Sequence, residues 1–141
     1  MRRLARPGSL VFLISDFRGL DEAGMRQLGR LGQHADVVLV FVFDPLEATL
    51  PPPGRYRVSD GVGEAIVDTR DRAAVDAYQA RFREREAALI QLARRHRMVF
   101  VPCPTDADVV NSLQTGLGKG GLGRSGPLRG NAAADRKGSG A

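Results

Sequence analysis

Tryptophan is absent from the 141 residues, tyrosine occurs twice, and cysteine once, at position 103. A lone cysteine leaves no intramolecular disulfide to form and suits a reducing compartment, which makes the cytoplasm the expected location. No apolar run approaches the ~20 residues of a membrane helix. Arg2 and Arg3 ahead of an apolar run mimic a secretory leader, but the run is short, Asp16 interrupts it, and no small-residue cleavage site follows. Also missing are a GxxxxGK[ST] loop, a strand-borne GxGxxG, a GxSxG elbow, and CxxC or HExxH spacings. Those absences remove the usual phosphate-loop, dinucleotide, serine-hydrolase and zinc chemistries. GKGGLG at Gly118–Gly123 has neither a preceding strand nor the phosphate-loop spacing. Cys103 stands next to a strand between two prolines, His96 belongs to a cationic helix end, and no local signature of a cysteine nucleophile is present, so Cys103 reads as an ordinary small residue and not as half of a thiol–imidazole dyad with His34 or His96.

Evenly spread positive charge is missing too. The net charge is +5, but Arg2, Arg3 and Arg6 put +3 before residue 11. Lys119, Arg124, Arg129, Arg136 and Lys137 against Asp135 put +4 after residue 117, which leaves 11–117 at −2. A slightly acidic middle does not make a nucleic-acid-binding domain, and no specific nucleic acid is expected.

What the chain does have is a set of dense apolar runs. Leu10–Ile14, inside SLVFLISDF, and Asp36–Asp44, DVVLVFVFD, have the composition of strands buried on both faces, and MVFVP at Met98–Pro102 is a third. Leu20, Met25, Leu28 and Leu31 share one helical face, giving a helix over Asp21–Gly32 with Asp21 as its cap. The strand–helix–strand order is a βαβ unit with a right-handed crossover. LPPPG at Leu50–Gly54 is a stiff turn. RYRV and EAIVD alternate around DGVG at Asp60–Gly63, which predicts a hairpin outside the parallel sheet. The longest helix spans Asp71–Arg97 with Val75, Tyr78, Phe82, Leu89 and Leu92 as its stripe. A last helix is expected to be capped by Thr105, with Asp108 closing a capping box and Val109, Val110, Leu113 and Leu117 facing inward. The resulting organisation is a basic lead at 1–8, an α/β domain at 9–117, and a Gly-rich basic tail at 118–141 with too little apolar mass to order. The fold class is three-layer α/β: three parallel strands in sequence order, helices on both faces, and a hairpin flap.

The candidate site lies where strands end. Asp16, with Ser15 before it, closes the first strand, Asp44 closes the second, and Glu47 follows in DPLE; ligands of open parallel sheets bind at that edge. Carboxylates of this kind suit Mg²⁺, although three do not complete an octahedron. For Asp44 and Glu47 the favoured role is a turn with a capping acid.

GSLVFLISDFRGLD (Gly8–Asp21), HADVVLVFVFDPLEATLPPPGRYRVSDG (His34–Gly61) and VDT (Val67–Thr69) resemble the C-terminal half of the bacterial family catalogued as domain of unknown function fifty-eight, with the likeness running over about Arg6–Leu117. That family is similar to von Willebrand factor A domains, and its genes commonly accompany a MoxR-type AAA+ ATPase. The resemblance implies a partial von Willebrand factor A-like, Rossmann-like sheet. Such domains hold Mg²⁺ at a metal-ion-dependent adhesion site built from DxSxS, a Thr, and an Asp whose place Asp16 takes. No DxSxS occurs here. Either the chain is a fragment, with the missing half encoded upstream of Met1, or another chain supplies that half. No tight metal binding is expected of this chain alone, with Asp16 as a partial ligand and Ser15, Asp44 and Glu47 as auxiliaries. The function implied is a protein-interaction module, not an enzyme: an adaptor for a MoxR-like ATPase that meets other von Willebrand factor A proteins. Self-association through the Leu10–Ile14 strand is expected. The alternative is a metal-dependent phosphate or ester hydrolase using the strand-end aspartates.

Overall fold

A computed structural model describes residues 8–59 and 61–119. In order, the elements are β1 (Leu10–Ser15), α1 (Glu22–Leu31), β2 (Asp36–Phe43), α2 (Pro45–Ala48), β3 (Arg55–Ser59), β4 (Glu64–Asp68), α3 (Arg72–His96), β5 (Val99–Pro104) and α4 (Val109–Lys119). β1, β2 and β5 form a parallel sheet in that order, and β3–β4 form a separate antiparallel hairpin. The chain is mixed α/β, consistent with a partial Rossmann-like fold.

The two faces of the sheet carry two cores. On one, Val37, Leu39 and Phe41 of β2 meet Phe82, Leu89, Leu92 and Ala93 of α3, with Met25, Leu28 and Leu31 of α1 packed against them. Phe41 is the hub of this face: the rings of Phe43, Phe82, Phe100 and Phe17 lie 5.1, 5.6, 6.0 and 6.5 Å from its own. On the other face Val38 and Val40 join Val99, Val101 and Cys103 beneath Leu113 and Leu117 of α4. β2 is therefore covered on both sides, as its unbroken valine-rich run requires.

β1 departs from the expectation of burial on both faces. Val11 and Leu13 pack on the α3 side, but Leu10, Phe12 and Ile14 are 51%, 45% and 69% exposed on the other. The register sets Phe12 beside Val38 and Ile14 beside Val40, so they continue the face that α4 covers. α4 lies over β5 and β2 and does not extend to β1.

Other boundaries shift for local reasons. β5 runs on to Pro104, with the N–H of Thr105 reaching the Phe43 carbonyl at 2.9 Å, so Thr105 extends the ladder and does not cap a helix. The cap is Asp108, whose carboxylate accepts from the Asn111 N–H at 2.7 Å. The later start leaves Val109 and Val110 exposed, while Leu113 and Leu117 point inward. α4 continues through Gly118 and Lys119, the first two residues of the stretch whose composition reads as a tail. Along α3 the buried residues lie between Phe82 and Ala93; Tyr78, placed in the stripe, is 40% exposed. Residues 1–7 and 120–141 lie outside the described residues, and with them the basic lead and most of the basic tail.

Candidate functional site

At the carboxyl end of β1 the chain turns sharply. The Ser15 hydroxyl accepts from the Phe17 N–H and the Asp16 carboxylate from the Arg18 N–H, each at 3.0 Å. Phe17 takes a left-handed φ of 51°, unusual for a bulky residue. Burial of its ring against Phe41 holds it there. The turn sends Arg18 back along the sheet edge, while Asp16 stays exposed.

β2 ends in Asp44, the N-cap of α2, with Pro45 at the first helical position. The Asp44 carboxylate accepts from the Leu46 N–H at 2.8 Å, and Glu47 Oε1 accepts from the Asp44 N–H at 3.3 Å, forming a capping box. Its other oxygen, Oε2, accepts from Arg18 and from Arg85 of α3, both at 2.7 Å. Burial alone would raise the Glu47 carboxyl, but these guanidinium hydrogen bonds and the Asp44 N–H outweigh it and hold the group below its ordinary value. The same hydrogen bond to Glu47 raises Arg18. The Arg85 guanidinium carbon sits 5.5 Å from the ring centroids of Phe41 and Phe82, and Nε is buried without a hydrogen-bond partner.

The structure thus joins the sequence-derived carboxylates through arginines. Arg18 links Asp16, at 3.7 Å, to Glu47, and the capping box links Glu47 to Asp44. Among the described residues no group of three His, Cys, Asp or Glu side chains is placed to hold a metal ion. Ser15 is used by the turn. Cys103 is buried beneath α4, whereas His96 packs against Gly29 of α1 on the other face, so these two are not brought together.

Arg18 and Arg85 were missed by sequence reasoning. Arg81 was missed as well; it lies one helical turn before Arg85 and lines the same space. The available signal was their i, i+4 spacing on the face of α3 that also carries Tyr78 and Phe82, but arginines on a long polar helix ordinarily belong to its solvated side. A cleft of about 680 Å³ opens there between α1, α3 and the β1–α1 turn, next to a smaller one of about 280 Å³ around Glu47.

A family model described as "Protein of unknown function DUF58" matches residues 1–88, from before β1 to the middle of α3, and the chain belongs to that family. No curated protein and no solved structure matches it.

Proposed function

From that membership we propose that the chain is a protein-interaction module of the von Willebrand factor A type, an adaptor or substrate-presenting subunit for a MoxR-type AAA+ ATPase. The observation that carries the reading is the asymmetry of the sheet's two edges. β5 carries Pro102 and Pro104, which alternate with Thr105, whose N–H is bonded to β2, so their missing N–H groups fall on the open side. Prolines so placed blunt an edge against further pairing. β1 has neither proline nor charge in LVFLIS, and beside its outer edge, which no strand among the described residues pairs with, stand Leu10, Phe12 and Ile14. An edge open to pairing and flanked by an uncovered apolar face is a surface made for another chain.

In this reading Asp16 is what the described residues would contribute to a Mg²⁺ site whose other ligands come from elsewhere. The hydrolase alternative gains nothing from the strand-end acids, since Asp44 caps α2 and Glu47 holds two guanidiniums.

The test is direct binding of the purified chain to the MoxR-type ATPase encoded nearest its gene, by surface plasmon resonance, with Ile14→Lys as the control. Saturable binding lost in that variant is the expected result. Turnover of p-nitrophenyl phosphate or acetate with Mg²⁺, abolished by Asp16→Asn, together with no ATPase binding, overturns the reading.

A further inference from the structure

On the opposite face of the sheet from the open β1 surface, the two clefts form one continuous feature, since Arg18, Arg81 and Arg85 line both. The larger has an apolar floor that includes Leu20 and Met25 before and within α1, and Ala88 and Leu89 of α3. The smaller gathers the three arginines, with Tyr78 and Phe82, around one carboxylate, Glu47. Arg18 also pairs with Asp16 at 3.7 Å, so the three guanidiniums face two carboxylates and the excess of one positive charge falls on Arg81.

The distribution of those charges decides what the site can accept. Arg18 and Arg85 converge on the same Glu47 oxygen. Arg85 is also fixed by two aromatic rings, with its Nε buried, so its position is set. Arg81 has no ion pair among the described residues. Arg26, at the far rim, already pairs with Glu22 at 3.4 Å. Unused guanidinium donors beside a half-buried guanidinium suit a planar, two-oxygen anion, which an arginine fork meets with two parallel hydrogen bonds.

We propose that this double cleft binds an acidic peptide segment: a Glu or Asp carboxylate placed at Arg81 beside Arg85 and Arg18, with a neighbouring large apolar side chain on the Leu20–Met25 floor. A polyphosphate or nucleic-acid strand fits poorly, because Asp21 and Glu22 line the same cleft and its floor is apolar. At about 680 Å³ the larger cleft lies within the ~300–1,000 Å³ of small-ligand pockets and takes a few side chains, not a folded surface. The inference goes beyond the ATPase reading. It concerns the other face of the sheet, and Ile14→Lys leaves it untouched.

The experiment uses the full chain and a panel of fluorescein-labelled ten-residue peptides, each with one Glu set one to four residues before a Leu or Phe, and each with a Gln twin. Fluorescence anisotropy is expected to show at least one Glu peptide binding about tenfold more tightly than its twin, the difference one charge-assisted hydrogen-bonded pair makes. Arg81→Ala should erase that difference while the circular dichroism spectrum and thermal melt stay unchanged. Arg81→Lys should retain only part of it, because it keeps the charge and loses the fork. The proposal is overturned if no Glu peptide binds at millimolar concentration, if Glu and Gln twins bind alike, if Arg81→Ala keeps the discrimination, or if a short oligonucleotide outcompetes every peptide.

Discussion

β1 and β2 are nearly the same text in different places. LVFLIS and DVVLVFVF are both apolar, branched and aromatic, and they lie side by side in register from Leu10–Asp36 to Ser15–Phe41. Yet Val38, Leu39 and Phe41 are wholly or almost wholly inaccessible, while Phe12 and Ile14 stand about half or more open. The difference comes from the neighbours. β2 has strands on both edges and helices on both faces; among the described residues β1 has one strand beside it, and helices on one face only. Composition reports the environment a strand is suited to, and only topology reports whether this chain provides it.

The largest test of that contrast is at Phe41. Its removal empties the centre of a five-ring cluster and leaves Arg85 without one of its two aromatic partners. Phe41→Ala should cost about 3–5 kcal/mol, the range for large-to-small changes in packed cores, enough to unfold most of the chain in urea titrations. Phe12→Ala, one strand over and half exposed, should cost much less. Equal losses would erase the distinction between the strands.

Next is the cover that β2 has and β1 lacks. A Cβ at Gly116 of α4 would lie 2.6 Å and 2.7 Å from the two Val101 methyl groups, and Val101 is fully buried and β-branched. Overpacking of about 1–3 kcal/mol is set against a helix-propensity gain of up to ~1 kcal/mol for Gly to Ala, so Gly116→Ala should destabilise by up to about 2 kcal/mol. Gly118→Ala meets nothing within 4 Å and should be neutral or slightly stabilising, since only the propensity difference of up to ~1 kcal/mol acts there. Paired thermal melts distinguish a helix seated tightly on the sheet from one lying loosely across it.

A smaller effect concerns the face both strands share, which Glu47 fastens at its carboxyl edge. Its carboxyl is held low in the folded chain, whereas an unfolded Glu titrates near ~4.3. The resulting stability is fully present above the unfolded value and is lost as the pH falls through the folded one. Arg18 is largely exposed, so the contribution should be below about 1 kcal/mol after screening. The stability gap between wild type and Glu47→Gln, read from urea melts, should shrink on acidification below about pH 4. A gap that does not change with pH would mean that the Glu47 contacts act by packing and hydrogen bonding alone.

The fold was legible wherever the cause is local. The valines of β2, the Asp71 cap and apolar stripe of α3, and the turn chemistry at Gly61, with its φ of 86°, each determine their element within a few residues. α4 was misplaced because Thr105, a good cap by type, was taken by the β5 ladder, a decision made by Phe43 on another strand. The candidate site was half legible. Asp16, Asp44 and Glu47 could be placed at the sheet edge from strand ends. Their arginines could not, because Arg85 is 38 positions from Glu47 in the chain. The one local sign, its i, i+4 spacing from Arg81 on the face of Tyr78 and Phe82, suits a solvated helix side equally well.

The smallest expected effect on stability carries the most information about function. Ile14 is 69% exposed at the open edge, and surface substitutions of this kind change stability by about 0.5 kcal/mol or less. Ile14→Lys should therefore melt like wild type, whereas Val40→Lys, its register neighbour across the ladder, should not fold. Association should respond in the reverse sense. Wild type, with an apolar edge lacking both proline and charge, should show molar mass rising with concentration in light scattering, and Ile14→Lys should stay monodisperse, because an edge lysine is a standard guard against strand pairing. Co-expression with a second polypeptide that pairs a strand with β1 should compete with this self-association and yield a defined complex with wild type only. A wild-type chain that is monomeric at every concentration and melts cooperatively above about 60 °C, the upper part of the mesophile range, would mean that β1 needs no cover. Its likeness to β2 would then be compositional only, and the argument for an interaction surface would lose its basis.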